Sequence, residues 1–228
     1  MGGFGLYLMF FIPPLLIGLG VQSWLKRTVA KHAVEPVQSG LTGAEVARAI
    51  LDHNGLHEVP IEQTGGGPLS DHYDPRSRTI RLSPTVYGER SITATAVGAH
   101  EVGHAIQHAR AYIPMRLRSA LFPAVAFSSR IWMILLLAGM FLQIAGLVVV
   151  AIALYSVAVL FQSITLPVEF DASRRAGKQL QELRLIGTGE SGGVKSVLNA
   201  AAMTYVAGAL AAVSQLLYFV MLFMGNRD

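Results

Sequence analysis

The chain has 228 residues, of which 52% are hydrophobic and 14% charged, well below the roughly 25% charged residues of an ordinary soluble domain, so a membrane protein is the expected class. Cysteine is absent, which excludes a disulfide framework, a thiolate zinc site and a catalytic thiol. The formal charge of +4 is scattered between apolar runs instead of forming a basic stripe interleaved with aromatics, and gives no support to a nucleic-acid partner.

Residues 4–25 carry no charge, and about 20 apolar residues suffice to cross the hydrocarbon core. They predict a first transmembrane helix within residues 1–25, kinked at Pro13 and Pro14 as a bilayer tolerates. The alternative, a cleaved signal peptide, calls for basic residues before the apolar run, whereas Lys26, Arg27 and Lys31 follow it.

Residues 26–130 then read as a small α+β unit. In "SGLTGAEVARAILDHNGL" Thr42 and Glu45 have capping-box spacing, Val46, Ala49 and Ile50 share a face, and Asn54-Gly55 supplies a left-handed stop. "HEVPIEQ" and "RTIRLS" alternate apolar with polar residues and predict two half-buried strands, with "TGGGPLSDHYDPRS" as the turn between them. Ser83-Pro84 and Ser91 offer N-caps to a short helix and a long one.

Residues 131–166 are again uncharged. As one helix they would measure about 54 Å against a core of about 30 Å, so they are expected to cross twice. The turn is expected near Gln143 to Gly146. Pro167 is read as the start of a separate helix in a segment spanning residues 167–195. Residues 196–228 form the last crossing, whose small-residue stretch "LNAAAMTYVAGALAAVSQ" permits close helix packing.

The fold class expected is therefore a mainly α membrane protein with about four transmembrane helices and a small α+β unit. Basic residues flank the polar segments, and Arg227 is the one left for the opposite face. The positive-inside rule accordingly places residues 26–130 and 167–195 on the cytoplasmic side of the inner (cytoplasmic) membrane.

The stretch "AHEVGHAIQH", residues 99–108, carries the chemistry. His100 and His104 are one helical turn apart on one face and can share a zinc ion, while Glu101 sits one step round, placed to take a proton from water and not to ligate. Zinc lowers the pKa of bound water to about 7, and a carboxylate beside it completes a hydrolytic pair. Gly103 costs a helix about 1 kcal/mol with no structural gain visible in the sequence.

Catalytic zinc needs a third protein ligand. His108 lies another four residues along the same helix, where three nitrogens do not easily wrap one ion, so an outer or substrate-groove role is expected. In "LPVEFDASRRAGKQL" Glu169 is the third ligand expected, with Ser173 on its face and Asp171 as the fallback. Two crossings between His104 and Glu169 return both to one side of the membrane. His72, Tyr73, Arg174 and Tyr205 compete for the role of oxyanion donor. Each has a plainer reading: a structural turn for the first two, a phosphate-facing charge for Arg174, a bundle hydrogen bond for Tyr205. Either "HEVPIEQ" or "RTIRLS" could hold an extended substrate by edge pairing.

The segments "SGLTGAEVARAIL", "LSDHYDPRSRTIRLS", "GAHEVGHAIQHA", "TLPVEFDASRRA" and "NAAAMTYVA" together resemble the bacterial neutral zinc metallopeptidases of the YugP type over nearly the whole chain. The resemblance implies a membrane-anchored enzyme that hydrolyses peptide bonds with one Zn2+, His100 and His104 as ligands and Glu101 as general base. Its partners would be peptide or protein substrates, including membrane or unfolded proteins. A more distant likeness is to HtpX and the prenyl-protein proteases, whose glutamate ligand stands in an E-x-x-A-D pattern. Ser173 replaces that aspartate here; it can hydrogen-bond a histidine but brings no charge, which leaves Asp171 or Asp74 to supply it. Two competing readings are an intramembrane protease and a non-enzymatic metal-binding scaffold, the first disfavoured by the polar load of residues 91–112 and the second having no use for Glu101.

Overall fold

The computed structural model describes residues 3–67 and 69–225; Arg227 lies outside them. In chain order the elements are α1 (Gly3–Ala33), α2 (Gly43–His53), β1 (Ile61–Gln63), β2 (His72–Asp74), β3 (Thr79–Leu82), α3 (Pro84–Gly88), α4 (Ile92–Ala109), α5 (Ile113–Phe141), α6 (Ala145–Glu182) and α7 (Ser191–Gly225). They resolve into two compact units, one of Met1–Gln22, Arg116–Pro167 and Thr204–Asp228, the other of Ser23–Met115 and Val168–Met203.

Among the described residues, α1, α5, α6 and α7 are long and apolar enough to cross a membrane, as in a multi-pass membrane protein. Their lengths exceed the apolar runs read from the sequence. Helix α6 has 38 residues and is about 57 Å long, nearly twice the hydrocarbon thickness. Pro167, expected to begin a new helix, lies inside α6. Pro167 has no amide hydrogen to give to Ser163 O, and in the turns before it two hydroxyls bond back along the helix, Ser163 Oγ donating to Val159 O at 3.0 Å and Thr165 Oγ1 to Phe161 O at 2.8 Å, a pattern that goes with helix bending.

In the first unit α5 and α6 form the expected hairpin. Its turn occupies residues 142–144, where Gln143 adopts φ 57° and its side-chain amide donates to Met140 O at 2.9 Å. Gly146 already belongs to α6. A Cβ at Gly139 would stand 2.8 Å from Val148 Cγ2, so glycine permits this close pairing. Trp132, Leu136, Tyr155 and Phe219 pack together. Leu16, Ile134, Phe141 and Leu160 are exposed, an apolar exterior that suits lipid and not water.

In the second unit α2 is capped as expected: Thr42 Oγ1 accepts from the Glu45 amide at 3.2 Å and Glu45 accepts from the Thr42 amide at 2.7 Å. Gly55 stops the chain with φ 71°. The sheet differs from the two-strand expectation. It has three strands in the order β1-β3-β2, with β1 parallel and β2 antiparallel to β3. Strand β2 lies within the segment read as a turn; three residues show no periodicity alone and become a strand only by pairing with β3. Ile80 and Leu82 of β3 are fully buried with Val46, Ile50 and Leu51 of α2 and Val102 and Ile106 of α4. A Cβ at Gly98 would lie 2.5 Å from Gly43 O, so α2 and α4 touch through backbone.

Candidate metal centre

Helix α4 begins at Ser91, whose hydroxyl accepts from the Ala94 amide at 3.1 Å, and is buried along most of its length. Its crossing with α6 builds the site. A Cβ at Gly103 would fall 2.5 Å from Ala172 O and 3.0 Å from Ala172 Cα, so this glycine has the structural purpose that the sequence did not reveal. It lets the α6 backbone reach α4 between the two histidines, bringing in Glu169 and Ser173 from either side of Ala172. Gly103→Ala is therefore expected to push the helices apart, costing about 1–3 kcal/mol as overpacking does and weakening metal binding in the same protein. Thermal unfolding in detergent with and without zinc checks both effects.

His100, His104 and Glu169 offer three ligand atoms within 4.8 Å of one another. Glu169 Oε2 lies 3.3 Å from His100 Nε2 and 3.5 Å from His104 Nε2. Tetrahedral zinc with arms of about 2.0–2.1 Å separates its ligand atoms by about 3.3–3.4 Å. Two borderline nitrogens, one carboxylate oxygen and those edges fit one zinc ion; the hard-oxygen cages of calcium and magnesium need a different donor set. Asp171, the fallback ligand, is not in the group.

The other ring nitrogens are held by neighbours. His100 Nδ1 lies 3.2 Å from Ser173 Oγ, and His104 Nδ1 lies 3.1 Å from Gln107 Oε1. Gln107 is fully buried, and its amide donates to Val168 O at 2.8 Å and Asp171 Oδ2 at 2.9 Å. With both amide hydrogens so used, its oxygen faces His104, which assigns the His104 proton to Nδ1 and leaves the Nε2 lone pair for the metal. Gln107 escaped the sequence reading; its one signal there is its place three residues after His104 on the same helix. Gln107→Leu is expected to weaken zinc binding by about 10–100-fold, as loss of an outer partner does, with His100, His104 and Glu169 intact. Competition against a chromogenic chelator measures it.

Glu101 is 6% exposed. Burial pushes its carboxyl up to about 7; His100 pulls it down, Glu169 and Asp71 push it further up, and the Tyr73 backbone amide pulls it down again. Asp71 itself accepts from the amide and hydroxyl of Ser83 at 2.7 and 3.0 Å, so Ser83 flanks α3 without capping it through its side chain. A divalent charge beside Glu101 would favour its ionised form.

The remaining sequence-selected residues divide. Tyr73 and His108 are brought together, phenol to Nδ1 at 2.8 Å, with burial pushing the phenol up to about 12 and the imidazole down. His72 is exposed, its Nδ1 2.8 Å from Ser70 O. Arg174 and Arg175 both engage Asp171, which makes Asp171 the charge behind the Gln107–His104 contact. Asp74 instead ties its own turn, accepting from the Arg76 amide at 2.9 Å, Ser77 Oγ at 2.8 Å and Arg81 Nη1 at 3.2 Å. Tyr205 belongs to the other compact unit.

Two histidines on one helical face, a glutamate from a second helix and a buried carboxylate next to the first histidine define a metal centre of the zinc-peptidase class. The chain belongs to the family described as "Putative neutral zinc metallopeptidase", whose model matches residues 7–224. It is similar to "Putative membrane protease YugP" of Bacillus subtilis (strain 168), 47% identical over 224 residues, which cover 96% of this chain and 99% of that protein. No solved structure matches the chain.

Proposed function

We propose that this member of the family is a zinc endopeptidase with Glu101 as general base, working at the cytoplasmic face of the membrane on unfolded or membrane-protein segments. The observation that carries the reading is the placement of a buried carboxyl, raised by that burial, directly beside a three-ligand cluster whose two Glu169–histidine edges suit zinc. A storage or scaffold site gains nothing from that carboxyl.

Zinc bound to His100, His104 and Glu169 would supply the positive charge that activates water and polarises the scissile carbonyl. The chain's own residues do the rest. Ser173 and Gln107 hold the two imidazoles with Nε2 presented. Glu101 would take the proton of the attacking water and pass it to the leaving amine; burial raises its carboxyl and the charge of a bound ion would lower it, which suits a group that must do both. Strand β3, from "RTIRLS", is central in the sheet and has no edge to offer. Strand β2 is an edge strand and carries Tyr73, whose backbone amide reaches Glu101. An extended peptide added along β2 would run beside the general base. The Tyr73–His108 pair is the oxyanion donor this arrangement favours over His72 and Arg174, which are turned to Ser70 and Asp171.

The test is cleavage of an unfolded reporter polypeptide by the detergent-purified chain, with products sequenced by mass spectrometry. New amino and carboxyl termini that vanish on chelation are expected; an uncut reporter beside zinc-loaded protein would count against the unfolded-substrate reading. The absence of native cysteine makes orientation simple to read. A single cysteine at exposed Glu58 is expected to react with a membrane-impermeant thiol probe in inverted vesicles and not in intact cells, and the opposite pattern would reverse the topology.

A further inference from the structure

Away from the cluster, within the same compact unit, α2, α4 and α6 enclose a groove of about 480 Å³ lined by His53, Asn54, Arg110, Arg174, Arg175 and Lys178, among others. Its rim is a connected polar network. Arg110 Nη2 donates to Asn54 Oδ1 at 3.2 Å, Asn54 Nδ2 donates to Gln179 Oε1 at 2.7 Å, and Gln179 Nε2 donates to Glu182 Oε2 at 3.0 Å. Arg175 is steadied by the Tyr112 ring, 5.7 Å from its guanidinium carbon.

Four cationic side chains meet there against two carboxylates, Asp171 behind Arg174 and Arg175 and Glu182 beside Lys178. These six groups carry a net excess of two positive charges, and Arg110 donates to a neutral amide. A phosphate monoester carries about −1.5 to −2 at neutral pH and three strong acceptor oxygens, and guanidinium forks match that geometry better than ammonium groups do. The groove is larger than a bare phosphate, leaving room for the organic part of an ester.

We propose that this groove is an anion site that binds a phosphate group, presented by a soluble phosphate ester or by a lipid headgroup. The site is distinct from the metal cluster and does not depend on peptidase activity. Arg174 and Arg175 hold Asp171, which accepts from Gln107, so the groove is also the outer end of the polar chain that finishes on His104.

Calorimetric titration of inorganic phosphate into the detergent-purified full chain, stripped of metal so that phosphate has no ion to bind, tests this. Saturable binding is expected, weakened by about tenfold or more in Arg110→Gln/Lys178→Gln, which removes two charge-assisted partners. A control that removes two exposed charges elsewhere, Arg90→Gln/Lys195→Gln, is expected to bind as wild type. Titration of wild-type chain in nanodiscs then separates the sources. Phosphate binding blocked by phosphatidic acid, whose headgroup is a monoester, and not by the diester phosphatidylcholine assigns the groove to a headgroup; binding retained in both assigns it to a soluble ester. No saturable binding in detergent, undiminished binding in the groove variant, or equal weakening in the control would overturn the proposal.

Discussion

Glu101→Gln is expected to keep the zinc content of the wild-type protein and to lose peptide hydrolysis by about 10²–10⁴-fold, the usual contribution of a positioned general base. The substitution preserves shape and hydrogen-bonding reach but leaves no carboxylate to take the water proton. Since Glu101 is no member of the ligand group, metal binding and catalysis should separate cleanly. Its burial gives a second expectation: a neutral amide carries less desolvation penalty than a buried carboxylate, so the variant should unfold at an equal or higher temperature. Metal analysis, a cleavage assay and a thermal melt on one preparation check all three. Unchanged hydrolysis would remove Glu101 from the mechanism, and zinc lost together with activity would show that it supports the metal.

Glu169→Ala is expected to have the opposite signature, with zinc lost first and activity as a consequence. The buried carboxylate lies 3.3 and 3.5 Å from the two Nε2 atoms, and among the described residues its removal leaves the ligand group with two histidines on one helix. The loss of affinity should exceed the roughly 10–100-fold expected for a residue that supports a ligand from behind; Asp171→Asn, whose carboxylate reaches His104 through Gln107, gives that smaller benchmark in the same chelator competition. Zinc retained at wild-type affinity in Glu169→Ala would mean that the ion is held elsewhere.

What the sequence disclosed was local or rested on an even count of crossings. The α2 capping box needs only Thr42 and Glu45, three residues apart, and His100 and His104 share a face by helical spacing alone. Glu169 came from joining two such local patterns with a topological argument, since a membrane hairpin returns the chain to the side it left. The missed features are those that exist only once helices meet. Gly103 looks like a defect until Ala172 lies against it. Gln107 is an unremarkable amide until Val168, Asp171 and His104 surround it. Strand β2 has no pattern of its own and exists through its register with β3. Pro167 carries a genuine break signal, overridden by a helix that continues through it.

The most direct measurement is cleavage of the unfolded reporter by chelator-stripped, detergent-purified chain as zinc is returned in known equivalents. Activity that climbs linearly and levels off at one zinc per chain is the result expected from a single ion at His100, His104 and Glu169. Cleavage that persists without zinc, or a break at a different stoichiometry, would contradict the assignment of that cluster as the catalytic metal centre.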